Sequence, residues 1–310
     1  NAGHALMLVE GHADAWLRLQ YRNFCGGCSV TALAGAGVMS IFGTSWLAWK
    51  GVALLVTGLL AGVGSLLMER QIGRAGAIAW VLLICFAPLN WIRLSLLSWG
   101  NHVEAGVLAV CILAMLVRDG DRRWQIGTGI LCGGSIWFGF SSVFAVIGAL
   151  AYRAIQRRWS DLGWMGLGLL SAPLMWGLQW WSSDRLPFGT IYQTGESTPS
   201  LARIPTKAWT LLAPQQLAGL WGLPQASLGL VLGIGWMLTL LASLAACGWW
   251  LRKPLRASER CPSYRLPLLA AGVLGIWVSI YLVVGFGLQM EPWPLVAAPP
   301  GLRYAAPLYP

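Results

Sequence analysis

The run Lys50-Gly-Val-Ala-Leu-Leu-Val-Thr-Gly-Leu-Leu-Ala-Gly-Val-Gly-Ser-Leu-Leu-Met68 decides the fold. No charged side chain falls between Lys50 and Glu69. A run of this length matches the ~20 apolar residues that an α-helix needs to cross ~30 Å of hydrocarbon. Working outward, further apolar runs extend over Ala75 to Ile92, His102 to Val117, Trp124 to Gly139, Phe140 to Ile155, Leu162 to Trp180, Leu228 to Leu251 and Leu266 to Leu288. Together these predict about 8 spans, so the expected fold class is all-α, a polytopic transmembrane helical bundle.

Composition leads to the same place. Of 310 residues 57% are hydrophobic and 10% charged, where a soluble domain carries about a quarter charged residues. A single soluble core cannot enclose so much apolar surface, whereas lipid accepts it without burial, and a disordered chain is excluded by the same figures. Tryptophans 99, 180, 181, 249 and 250 stand at the ends of apolar runs, where an indole settles at the headgroup boundary. The net charge of +10 would suit nucleic acid only if the basic residues gathered on one soluble face. They are instead scattered in short clusters, so no nucleic-acid partner is expected.

Those clusters orient the chain. They comprise Arg70 and Arg74; Arg118, Arg122 and Arg123; Arg153, Arg157 and Arg158; and Arg252, Lys253, Arg256, Arg260 and Arg265. Two apolar passages separate each cluster from the next, so all can share one side, and the basic bias makes that side cytoplasmic. Residues 1–49 are then a first extracytoplasmic loop and 50–310 a transmembrane domain, which includes an outer loop over 181–226. Asn1 is no initiator methionine and Pro310 follows no closing span, so the chain reads as a fragment of an integral membrane protein.

Two stretches stand apart. Gly26 to Phe42 is apolar, yet charge alternation leaves both of its ends outside, which predicts a juxtamembrane helix along the outer interface. Its Ala32, Ala34, Gly35, Ala36 and Gly37 fit close helix packing equally well. The junction Phe138-Gly139-Phe140-Ser141-Ser142 is a Gly- and Ser-rich break that survives in a membrane only where neighbouring protein or water satisfies its backbone.

Of the seven cysteines, Cys85, Cys111, Cys132 and Cys247 fall in apolar runs as small buried hydrophobes, and Cys261 falls in a cytoplasmic turn. Cys25 and Cys28 flank two glycines on the outer side, where a local structural disulfide is chemically allowed. No phosphate-binding glycine loop, zinc-protease helix or nucleophile elbow is present. Any chemistry must therefore come from sparse polar residues at the outer surface: Glu10-Gly11-His12-Ala13-Asp14 and Trp99-Gly100-Asn101-His102-Val103-Glu104. A carboxylate at the lip of a span carries a desolvation cost, so Glu104 is a functional candidate, against the plainer reading of an interfacial acid touching water or Arg93. For Glu10 and Asp14 the plainer reading is a solvated loop charge.

Phe42-Gly43-Thr44-Ser45-Trp46-Leu47-Ala48-Trp49-Lys50, followed by an apolar span, Arg70 and Gly73-Arg74, resembles the entry to the second helix of GT-C membrane glycosyltransferases, with glycosyltransferase family 39 and its bacterial relatives nearest in flavour. A span ending near Pro88 and an acid opening the next span follow the same pattern. The close Leu302-Arg303-Tyr304-Ala305-Ala306-Pro307-Leu308-Tyr309-Pro310 is similar to an Arg-Tyr-x-x-Pro-Leu-Tyr-Pro stretch of those proteins. The likeness covers most of the chain in layout and these patches in letters.

The resemblance implies a transferase that moves a sugar from a polyprenyl-phosphate donor to an acceptor, working on the periplasmic or exterior face. Asp14 would match the acidic catalytic residue of the first loop, with Glu10 second, and Glu104 the acid opening a later span. The family often has adjacent Asp-Glu at the first position, and this chain does not. A sugar hydroxyl needs a carboxylate to accept its proton, and the departing lipid phosphate needs positive charge. Arg93 and Arg303 are candidates for the latter, with Arg203 and Lys207 behind them and Tyr304 beside Arg303. The plainer reading of these cations is headgroup binding, which is favoured for Arg203 and Lys207. His12 and His102 are candidates to join the acids around a divalent metal, or to be polar surface residues. The rival class is a transporter, a flippase or a non-catalytic membrane component. Transporters place ionisable groups near the midplane of broken helices and often repeat a half, and this sequence shows neither.

Overall fold

The computed structural model describes residues 2–12, 26–87, 103–118, 120–139 and 142–183, with single positions at 92, 95, 96, 231, 234, 235 and 238. The described residues form helices and the turns between them, with no strand among them. The chain divides into two compact units, Asn1–Leu67 with Ser95–Thr194, and Met68–Leu94 with Gly195–Pro310.

The first unit opens with α1 (Ala2–Val9) and α2 (Gly26–Phe42). Along α2 the buried Cys28, Ala32, Gly35, Ala36 and Met39 recur every three or four residues and so share one face. Ala5 of α1, Ala36 and Met39 pack with Ala48, Trp49 and Val52 of α3 (Trp46–Ile72) in one apolar cluster. The Trp49 indole lies so close over Gly35 that a side chain there would collide with it. The small residues of α2 are therefore the positions at which its neighbours approach.

Gly43, at φ 84°, takes the left-handed turn between α2 and α3 that a side chain would resist. Ser45 then caps α3, its Oγ accepting from the Ala48 N–H at 3.1 Å. At 27 residues α3 is about 40 Å long. Among the described residues it is the one helix long and apolar enough to cross a membrane. Leu47, Leu54, Leu55, Leu59 and Leu66 are exposed along it, a cost in water of ~25 cal/mol for every Å² of apolar surface. In the second unit, Gly73 at φ 95° ends α3, and α4 (Arg74–Cys85) follows. That helix stops short of the expected Ile92 because Pro88 disfavours helical backbone in the residue before it.

The remaining helices of the first unit are α5 (Val103–Val117), α6 (Arg122–Phe138), α7 (Val143–Ile155), α8 (Trp159–Leu169) and α9 (Ser171–Ser183). Helix α6 is central, packing on α5, α7, α8 and α9 and meeting α2. It touches α8 backbone to backbone: a Cβ on Gly129 would strike the Met165 carbonyl, and one on Gly168 the Ile126 carbonyl. Gly129 and Gly133 are one turn and a little more apart, the small-x-x-x-small spacing that lets helices approach closely. Ser171 adds a hydrogen bond from Oγ to the Ile130 carbonyl at 3.2 Å.

Two further features differ from expectation. The single span Leu162 to Trp180 is broken at Leu170. Pro173 explains the break, since it lacks the N–H that would donate to the Leu169 carbonyl and its ring crowds that oxygen. Arg153, grouped by sequence with solvated Arg157 and Arg158, is instead buried at 1% exposure. The expected spans Leu228 to Leu251 and Leu266 to Leu288 and the loop 181–226 lie almost wholly outside the described residues.

Candidate functional site

Glu104 lies in the first turn of α5, where the positive end of the helix dipole favours a carboxylate. It is 7% exposed, the single buried carboxylate among the described residues. Glu104 is the one charged side chain in α5.

Helix register fixes what shares that level. Arg153 on α7 donates from Nη2 to the Leu116 carbonyl on α5 at 3.3 Å, and Trp124 Nε1 on α6 donates to the Met115 carbonyl at 2.9 Å. These bonds tie the ends of α5 and α7 to the start of α6. Counting 1.5 Å per residue away from them, Glu104 is about 18 Å along α5, Ser142 about 16 Å along α7 and Trp137 about 20 Å along α6. All three belong to the end of the bundle opposite those ties.

At that end Gly26 of α2 abuts Trp137, since a Cβ on Gly26 would fall 2.5 Å from the indole ring. This contact brings the first turn of α2, with buried Cys28, Ser29 and Thr31, to the same region. Thr31 donates to the Gly27 carbonyl at 2.7 Å. Ser142 Oγ and Trp137 Nε1 are buried with no hydrogen-bond partner among the described residues, a cost of about 1–3 kcal/mol for each unmet group. At the described positions of the Gly- and Ser-rich junction, the Gly139 N–H donates to the Ser135 carbonyl at 3.0 Å and the Ser142 N–H to the Gly139 carbonyl at 2.9 Å.

The other candidates are placed as follows. Glu10 and His12 are exposed beyond the end of α1, and no interaction joins Glu10 to Glu104. Helix α1 meets α2 where Ala5 faces Gly35, about 13 Å along α2 from Gly26. Cys28 is disulfide-bonded, and Cys25, its expected partner, lies outside the described residues. So do Asp14, Arg93, His102, Arg203, Lys207, Arg303 and Tyr304. Cys85, Cys111 and Cys132 carry free thiols. Among the described residues no three His, Cys, Asp or Glu side chains gather as a metal ion requires.

Trp137 and Ser142 did not stand out in the sequence as site residues. Ser142 carried a signal, its place in the Gly- and Ser-rich break. Trp137 carried none beyond being one more tryptophan at the end of an apolar run. No protein-family model matches the chain, nor does any curated protein or solved structure.

Proposed function

We propose that the chain is a polytopic membrane protein of the GT-C glycosyltransferase type, acting where Glu104 lies. Its donor is a sugar on a polyprenyl phosphate and its acceptor a hydroxyl, at the extracytoplasmic face of a bacterial inner membrane. The observation that carries the reading is the burial of Glu104 at the end of the bundle opposite the arginine-rich turns.

The membrane reading draws on the exposed leucines of α3 and on exposed Leu167, Leu170, Leu174 and Leu178 along α8 and α9. Helices α5, α6 and α7, of 15, 17 and 13 residues, reach about 20–25 Å, short of the ~30 Å hydrocarbon. Local thinning of the bilayer and snorkelling of the flanking arginines make up such a difference.

In the transfer, a carboxylate accepts the proton of the attacking hydroxyl as the bond to the anomeric carbon forms and the lipid phosphate departs. Asp14 is assigned that base, with Glu10 as the second choice. Glu104 orients the sugar through its hydroxyls, since a buried carboxylate accepts strong hydrogen bonds from them. Arg93, Arg303 and Tyr304, with His102, are assigned to the donor phosphate and its sugar.

Transport is the rival reading, and one observation bears on it. Buried Gln125, Thr128 and Ser135 form a polar seam along α6. Thr128 and Ser135 spend their hydroxyls on the Trp124 and Cys132 carbonyls, at 2.9 and 2.8 Å. With those two hydroxyls spent on their own helix and Gln125 Nε2 donating to the Gly120 carbonyl at 3.4 Å, Gln125 Oε1 alone is left unmet among the described residues of the seam, which offers little to a solute.

The test is transfer from a synthetic polyprenyl-phosphate sugar by the full chain in proteoliposomes. Asp14→Asn reduces turnover at least a hundredfold, about the lower limit of a general acid–base contribution, and Glu104→Gln lowers turnover by weakening its hold on the sugar, while insertion is unchanged. Undiminished turnover in both variants overturns the assignment.

A further inference from the structure

The end of the first unit remote from Glu104 is built of arginine and tryptophan. Arg118 closes α5, Arg122 and Arg123 open α6, and Arg157 and Arg158 form the turn from α7 to α8. The Arg118 guanidinium lies 4.6 Å from the centre of the Trp124 ring, and that of Arg122 lies 3.7 Å from the centre of Trp164. Trp124 is fixed on two sides: its Nε1 donates to the Met115 carbonyl, and its backbone N–H donates to Asp121 Oδ1 at 3.0 Å. Asp161 stands 3.7 Å from Arg158. Asp121 and Asp161, the described acids of this end, are thus both engaged already.

Arg118, Arg122, Arg123 and Arg157 meet no carboxylate among the described residues. Stacking on an indole uses the face of a guanidinium and leaves its in-plane N–H edge unspent. That edge is a planar fork that matches two oxygens of one phosphate. Arg157 adds a backbone observation, for it takes φ 57°, the left-handed region that a glycine would occupy without strain. An arginine at that strained turn places another guanidinium on the same rim. Next to the rim the helices expose Ile155 and Trp159, an apolar surface on which acyl chains can lie directly below a headgroup.

We propose that this arginine–tryptophan rim is a binding site for the phosphodiester headgroups of anionic phospholipid, with Arg118 and Arg122 as its principal ligands. The proposal rests on the membrane-spanning reading of the chain and is independent of the transferase. Lipid is favoured over nucleic acid because the forks are few and adjoin exposed apolar side chains, whereas a nucleic-acid surface tracks a backbone with a broad basic face.

The experiment uses the full chain purified in zwitterionic detergent. Phosphatidylglycerol, phosphatidylcholine and inorganic phosphate are each titrated while bound lipid is counted by native mass spectrometry and the thermal midpoint is followed. Phosphatidylglycerol alone should bind selectively and raise the midpoint, and high salt should weaken it. Arg118→Gln and Arg122→Gln should each weaken its binding about fivefold, the fold-change for one basic group at an anionic surface. Equal binding of the two lipids, or selectivity retained in the folded double variant, overturns the proposal. Should the double variant not fold, Arg123→Gln with Arg157→Gln replaces it, because neither side chain is stacked. Displacement of phosphatidylglycerol by a short RNA at equal phosphate concentration would assign the rim to nucleic acid and overturn it as well. Carbonate washing of chain-bearing vesicles separates the two failures: a chain that washes off sinks the membrane reading, and one that stays but ignores headgroup charge sinks this site alone.

Discussion

Arg153, on the last turn of α7, donates from Nη2 to the carbonyl of Leu116 on the last turn of α5, at 3.3 Å and almost out of reach of solvent. The final carbonyls of a helix have no partner within it and carry the negative end of its dipole. A cation from a neighbouring helix thus closes α5, and the Arg153–Leu116 bond sets the register by which Glu104 and Ser142 fall at one level.

Replacing Arg153 by Met should therefore strip a buried carbonyl of a charged donor. The expected loss is on the order of 2 kcal/mol. Arg157→Met, exposed on the adjoining turn, should change stability by no more than about 0.5 kcal/mol. Denaturant midpoints of the reconstituted chain measure both, and equal effects from the two substitutions would contradict the buried role of Arg153.

The bounds of α5 and α6 were legible in the sequence, because Arg118 and Arg122 sit where apolar runs stop. The burial of Arg153 was not. Three arginines within six residues read as one solvated cluster, and only the end of α7 at Ile155, with the left-handed turn at Arg157, parts the first from the others. The break at Leu170 was within reach of the sequence, since Pro173 announces it, yet an uncharged run of suitable length hid it. Helix α1 escaped notice for the opposite reason: eight residues are too few to show a period. For the candidate site, Glu104 was visible as an acid opening an apolar run, while Trp137 entered only through its contact with Gly26.

The α6–α8 contact gives a second prediction. Gly129→Ala puts a methyl group into the Met165 carbonyl, an obstacle that cannot rotate away, so it should destabilise the chain by about 1–3 kcal/mol. Gly134 is on the same helix with nothing within 4 Å of its added methyl. Gly134→Ala should then raise helix stability by up to about 1 kcal/mol. Thermal midpoints of the two variants should move in opposite directions, and a shared direction would mean that α6 and α8 do not meet at these glycines.

A third prediction concerns pH. Partial burial of His4 on α1 holds its pKa below the ordinary 6.5. A histidine that folding keeps neutral contributes its full stability above pH 6.5, and that contribution is lost as pH falls through the folded value. Acidification should loosen α1 from α2 ahead of the rest of the unit. Hydrogen exchange of the Leu6 to Val9 amides, corrected for intrinsic rates, should quicken between about pH 7.5 and 5.5, a window that spans the free histidine value, and His4→Phe should abolish the change. Exchange that stays flat across that range would show that α1 is held without regard to His4.

The last prediction tests which way the helices run. Arg118, Arg122, Arg123, Arg157 and Arg158 gather at one end of the first unit, and a basic end faces the cytosol. Helices α8 and α9 lead away from that end, so Ser182, near the end of α9, should emerge on the opposite face. In intact cells, Ser182→Cys should react with a membrane-impermeant maleimide, while Cys261, next to Arg260 in a basic stretch of sequence, should react only after permeabilisation. A Cys261→Ser background separates the two signals. Labelling of Cys261 alone in intact cells would invert the chain, carry Glu104 to the cytosolic face and remove it from any donor presented on the outer leaflet.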